Sequence, residues 1–134
     1  TRAGREGDSL VVESPSGVGV RWQGPASVDG RPWPVQDGER VWLPPGKHVV
    51  AAAAAAPPAR ALDFTGDLES AASHPDNMEL AYSSESRAFA KLDREPLSLT
   101  VDGSAAPVEF TSSGSTYMVR LPRGRHNVVL AFRP

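Results

Sequence analysis

Three side-chain types in this chain could do chemistry: its 3 histidines, its carboxylates and its 3 tryptophans. His48, His74 and His126 would supply imidazole nitrogens to a zinc ion if the fold brought them together. Asp63, Asp67 or Glu69 could pair with another carboxylate across a cleft, the arrangement that hydrolysis of a glycosidic bond requires. Trp33 and Trp42 offer flat apolar faces with a polar edge, the kind of surface on which a sugar ring stacks. No ordered motif accompanies any of them. The chain has no Gly-x-Ser-x-Gly elbow, phosphate-binding glycine loop, His-Glu-x-x-His or Asp-x-Asp-x-Asp-Gly calcium loop. Spacing selects no acid–base pair, so neither catalysis nor a metal or cofactor is expected, and Trp33 and Trp42 carry the sharper hypothesis.

What must position these residues is a sequence that recurs. Val28-Asp29-Gly30 followed by Pro34-Val35 returns as Val101-Asp102-Gly103 followed by Pro107-Val108, at an offset of 73. Val41-x-Leu43-Pro44-x-Gly46-x-His48-x-Val50 returns as Val119-x-Leu121-Pro122-x-Gly124-x-His126-x-Val128, at an offset of 78. The second copy therefore carries five extra residues, placed in the loop from Phe110 to Thr116. Upstream, at an offset of 70, Leu10, Ser14, Ser16 and Trp22 fall opposite Leu80, Ser84, Ser86 and Leu92. Order and spacing are the marks of duplicated structural units. The copies span 8–54 and 78–132, joined by 55–77. Each copy alone lies near the lower limit for a stable core, so the 134 residues are expected to form one domain with a shared core.

With 13 Pro and 12 Gly spread along the chain and only short hydrophobic runs, the pattern is that of many short strands, and the class is all-β. Positions apolar in both copies mark the inner face, because strand side chains alternate. Val41, Leu43, Val119 and Leu121 point inward on this basis. So do Val50, Ala52 and Ala54 with Val128, Leu130 and Phe132, and Leu10 and Val12 with Leu80 and Tyr82. Val18, Val20 and Trp22 match Ala88, Ala90 and Leu92 in the same way. The run Ala51 to Ala56 has the best helix propensity of any residue type. Its counterpart is strand-like, however, and six residues stopped by Pro57-Pro58 are too few to nucleate a helix, so strand is expected over 49–54.

Leu62 and Phe64, then Leu68, Ser70 and Ala72, alternate on either side of Thr65-Gly66-Asp67. That reads as a hairpin whose glycine takes a positive φ. His74-Pro75-Asp76-Asn77 reads as a turn into the second copy. The repeated motif is itself turn chemistry: Asp-Gly closes a tight turn, and Leu-Pro-x-Gly sets one φ with proline and reverses the chain at glycine. Turn roles suffice for Asp29, Asp102, Gly46, Gly124, His48 and His126. Trp42 alternates with inward Val41 and Leu43 and matches Arg120, which puts it on the outer face. Trp33 stands in Arg31-Pro32-Trp33-Pro34 where the second copy has Ala106. The two could form an exposed patch. The competing reading packs one or both against Pro32, Pro34 or a neighbouring domain.

A net charge of −2 and a pI of about 5.9 give no electrostatic footprint for nucleic acid or an anionic membrane surface. No run reaches the roughly 18 apolar residues of a membrane span, so membrane insertion is not expected. The start Thr1-Arg2-Ala3-Gly4 has neither initiator Met nor signal core and reads as a piece of a longer protein. The absence of cysteine removes disulfides and thiolate chemistry without settling the compartment.

The pattern Asp-Gly, variable loop, Val-x-Leu-Pro-x-Gly-x-His-x-Val resembles PEGA-type and related immunoglobulin-like β-modules of bacterial envelope and exported proteins. Leu80-Ala81-Tyr82-Ser83-Ser84-Glu85-Ser86-Arg87-Ala88 leading to Val101-Asp102-Gly103 is similar to C-terminal β-sandwich modules of glycoside-hydrolase-like proteins. The resemblance implies a β-sandwich of two duplicated immunoglobulin-like halves, a secreted or envelope location and no catalytic residues. Two functions follow as expectations. One is a non-catalytic accessory module that packs against or spaces a neighbouring domain of its parent protein. The other is a carbohydrate-binding module that meets a polysaccharide through Trp33 and Trp42.

Overall fold

The computed structural model of the protein describes residues 2–37, 39–53 and 59–132. Short apolar runs between Gly- and Pro-bearing turns become strands, and no helix occurs among the described residues. In chain order the strands are Arg2–Glu6 (β1), Ser9–Ser14 (β2), Val18–Arg21 (β3), Ala26–Val28 (β4), Arg31–Pro32 (β5), Arg40–Leu43 (β6), Gly46–Ala52 (β7) and Ala61–Phe64 (β8). There follow Asp67–Ser73 (β9), Asn77–Ser84 (β10), Ala88–Leu92 (β11), Pro96–Val101 (β12), Ser104–Ala106 (β13), Phe110–Ser113 (β14), Thr116–Leu121 (β15) and Gly124–Phe132 (β16). The protein is all-β, built from several antiparallel sheets.

Two five-stranded sheets run β1-β2-β7-β4-β5 and β9-β10-β16-β12-β13. Their registers correspond. Leu10 faces Val50 and Val12 faces His48 in one, while Leu80 faces Val128 and Tyr82 faces His126 in the other. A two-stranded sheet β3-β6 and a four-stranded sheet β14-β15-β11-β8 complete the fold. Segment 33–36 lies between β6 and β8. Gln36 bridges to Val41 and Val35 to Ala61, and the N–H groups of Trp42 and Ala61 donate to the carbonyls of Val35 and Pro34 at 3.0 and 2.8 Å.

The turns follow their residue types. Asp29 (φ 52) with Gly30 (φ 81), and Asp102 (φ 50) with Gly103 (φ 85), are the two-residue loops joining β4 to β5 and β12 to β13. Positive φ at both central positions is the type I′ geometry that matches strand twist, and Asp-Gly is among the few pairs that adopt it readily.

Buried apolar side chains from Val12 to Phe132 form one core cluster. Val41, Leu43, Val50, Val119, Leu121, Val128 and Leu130 are all within it, as alternation predicts. Trp22, expected in the core, is only half-buried, as are Val18 and Val20, whereas Ala88, Ala90 and Leu92 are fully buried. The reason is sheet width: β3 has one neighbour, while β11 lies between β15 and β8. Ala52, expected to point inward, is exposed. The β2–β7 ladder ends at Leu10 and Val50, so no strand covers Ala52 on that side, whereas Leu130 is flanked by Met78 and Leu99. The strand expected over 49–54 is present to Ala52, and Ala54 lies outside the described residues.

The connecting region differs from its expectation. It does contribute two strands, but β8 pairs with β11 and β9 with β10, so they form no hairpin with each other. Gly66 is not among the positive-φ residues. It instead meets a packing demand, since a Cβ there would stand 3.1 Å from Cε1 of Phe64. The chain at 65–66 crosses between sheets. The hairpin lies one turn later, between β9 and β10, where the His74 N–H donates to the Asn77 carbonyl at 2.9 Å.

Candidate functional site

Trp33 does not present a stacking face. It is 5% exposed, its indole N–H donates to the Trp42 carbonyl at 2.9 Å, and the Gln36 side-chain amide donates to the Trp33 carbonyl at 2.7 Å. The loop that carries it folds inward because Trp33-Pro34-Val35 brings more apolar area than a surface loop can expose, and Gln36 supplies the hydrogen bond the turned backbone needs. Of the two tryptophans expected to form an exposed patch, Trp33 is buried in the fold.

Trp42 stands opposite in face to Val41 and Leu43, as parity predicts, and is half-buried. Its ring lies across Gly19, the residue facing it on β3, where a Cβ would come within 2.5 Å of the ring. Only glycine allows that approach. One side of the indole is thus held against the β3 backbone while the residue lines a cleft of about 650 Å³. The cleft is formed by the β2–β3 loop and the end of β6 on one side, and by residues 63–69 with Ser83 on the other.

Asp63, Asp67 and Glu69, for which spacing selects no partner, all line this cleft together with Phe64. Glu69 accepts from Arg125 twice, from Nε to Oε1 at 2.9 Å and from Nη2 to Oε2 at 2.8 Å. Asp63 accepts from the Phe64 N–H at 2.8 Å. Asp67 has no ion-pair partner among the described residues. Aromatic walls with carboxylate oxygens on one flank can hold a flat, hydroxyl-rich ligand: the rings take its apolar face and the oxygens its O–H donors. Phe64 and Ser83 carry no sequence signal for this role, because their arrival beside Trp42 depends on where β8 and β9 cross between sheets.

The three histidines keep separate partners. His74 lies 3.4 Å from Glu79, while His48 and His126 each clasp an Asp-Gly turn. His48 Nδ1 stands 2.7 Å from Asp29 Oδ2 and its Nε2 is 3.2 Å from the Pro45 carbonyl. His126 Nδ1 stands 2.6 Å from Asp102 Oδ2 and its Nε2 is 2.7 Å from the Arg123 carbonyl. The second oxygen of each carboxylate accepts a backbone N–H, from Val49 at 2.9 Å and Asn127 at 2.8 Å. Burial raises the Asp29 carboxyl, but the hydrogen bonds from His48 and Val49 outweigh it and the net shift is downward.

Tyr82 sits over the second clasp, its ring 6.2 Å from that of His126 and its hydroxyl donating to the Pro122 carbonyl at 2.6 Å. Burial, with the Asp102 charge, pushes its phenol up to about 12. Tyr82→Phe keeps the ring packing and removes only that bond. It is expected to cost roughly 0.5–1.5 kcal/mol by urea unfolding, and an unchanged midpoint would show that the hydroxyl does not hold the Leu121-Pro122 turn.

Comparison of the chain with protein-family models, curated proteins and solved structures finds no match.

Proposed function

We propose that the chain is a non-catalytic accessory module of a larger exported bacterial protein and that it binds a polysaccharide in the cleft beside Trp42. The observation that carries this reading is the cleft itself, which sets Trp42 of β6 opposite Phe64 and the three carboxylates of residues 63–69. The architecture belonging to the proposal is a β-sandwich of two duplicated immunoglobulin-like halves. Its support is the shared strand order of the two five-stranded sheets, the corresponding registers and the twice-built Asp–His clasp. Binding then falls between the first copy and the connecting stretch 63–69, with Ser83 as the second copy's contribution. Docking to a neighbouring domain is the second reading. Among the described residues, the large exposed apolar side chains Val49, Leu97 and Met118 lie on three different strands, β7, β12 and β15.

Retention of the purified chain on immobilised polysaccharides tests the proposal. Loss of an aromatic contact at the centre of a site costs on the order of 2 kcal/mol, so Trp42→Ala is expected to weaken retention roughly thirtyfold. Asp67→Asn, which alters one cleft oxygen without touching the core, is expected to weaken it as well. If no glycan retains the unmodified chain and the adjoining domain of the parent protein captures it in trans, the docking reading replaces this one.

A further inference from the structure

We propose that His126 is held as an imidazolium that staples the Asp102-Gly103 turn to the Pro122-Arg123-Gly124 turn, so that the C-terminal part of the fold loosens as pH rises and the ring loses a proton. The geometry sets the protonation state. Nδ1 faces a carboxylate oxygen at 2.6 Å and Nε2 faces a backbone carbonyl at 2.7 Å. Neither a carboxylate nor a carbonyl can donate, so both bonds form together only when both ring nitrogens carry hydrogen. A neutral ring would turn a lone pair toward one of two acceptors, and the turn holding that acceptor would be released.

Asp102 cannot swing away to relieve this. Its other oxygen accepts the Asn127 N–H at 2.8 Å, and its own N–H donates to the Asn127 carbonyl at 2.8 Å. The remaining neighbours do not compete for the ring. On β10, Tyr82 faces it but gives its hydroxyl hydrogen to Pro122 and keeps it, the phenol being pushed up to about 12. On β16, Arg125 is turned to Glu69 of β9. Asp29, His48 and Pro45 build the same three-point contact in the N-terminal part, with Val12 in the place of Tyr82.

The linkage signs follow from the hydrogen bond between the two side chains. It holds the imidazole of His126 above its ordinary 6.5 and, with the Asn127 N–H, holds the carboxyl of Asp102 below its ordinary 3.8. A raised imidazole stabilises fully below about 6.5 and is lost as pH climbs through its folded value. A lowered carboxyl stabilises above 3.8 and is lost as pH falls through its folded value. The staple is therefore complete between those limits. The start of β16 also carries Arg125, the partner of the cleft residue Glu69, so the staple fixes a strand on which the cleft depends. That last link rests on the cleft reading; the ring titration does not.

Nitrogen-15 spectra of the histidine rings in the whole chain, recorded without ligand from pH 5 to 9, test the staple. Both nitrogens of His126 are expected to stay protonated above the ordinary imidazole midpoint. Asp102→Asn keeps an acceptor for Asn127 and tolerates positive φ, and it is expected to move the His126 midpoint down. Urea midpoints of the unmodified chain are expected to decline through the His126 titration, more steeply than those of Asp102→Asn. A His126 ring already neutral at pH 6, or one titrating identically in both proteins, overturns the proposal.

Discussion

Replacing Leu121 with alanine is expected to lower stability by about 2–5 kcal/mol, the range for emptying a fully buried leucine site. Leu121 is 1% exposed and pairs across to Ala88 on β11, which is 0% exposed. Ala88 is too small to refill the space, and the strands on either side are locked by ladder hydrogen bonds, so the cavity cannot collapse cheaply. Arg120, one residue earlier, is the control. Its side chain is 50% exposed, and its ion pair to Glu109 spans 3.9 Å, the kind of surface contact that contributes little. Arg120→Ala should stay within about 0.5 kcal/mol. Urea midpoints in the reverse order would mean that the inward face of β15 is displaced by one residue.

That inward face is legible in the amino-acid pattern because two stretches of the chain agree on it. A residue apolar in one place is weak evidence, but Val41 with Val119 and Leu43 with Leu121 remove the chance component, and all four are buried. Turns are legible for a related reason, since Asp-Gly restricts the backbone to few conformations and both pairs adopt them. The route of residues 61–73 is not. Alternation in Leu62, Phe64 and Leu68 states that strands exist, yet pairing depends on which sheet edge each strand meets, and no local pattern encodes that choice. Side chains in the same stretch show the cost, for Asp63, Asp67 and Glu69 can be named as candidates from their chemistry but not placed. Their convergence on Trp42 is a tertiary fact. The clasps are half legible: both Asp-Gly turns and both histidines stand in the pattern, while the bond between them needs the fold of β4 on β7 and of β12 on β16.

Trp33→Ala is expected to cost roughly 3–5 kcal/mol, which inverts what a surface tryptophan would give. At 5% exposure the indole fills the space beneath segment 33–36, and its N–H satisfies the Trp42 carbonyl. Removing it leaves a cavity and an unpaired acceptor at once. The loss falls at a joint, because Val35 and Gln36 bridge to Ala61 on β8 and Val41 on β6, so the segment that Trp33 anchors ties the N-terminal strands to those after residue 60. Trp33→Phe separates the two terms, since it keeps most of the buried volume and removes the donor. It should recover most of the stability while still costing about 1 kcal/mol for the lost hydrogen bond. Trp42→Ala supplies the contrast: its ring is half-buried against Gly19, so it should unfold at a higher urea concentration than Trp33→Ala while losing more glycan retention relative to the folded fraction. A Trp33→Ala midpoint equal to that of the unmodified chain would mean that segment 33–36 is held from elsewhere and that Trp33 is free to meet a ligand after all.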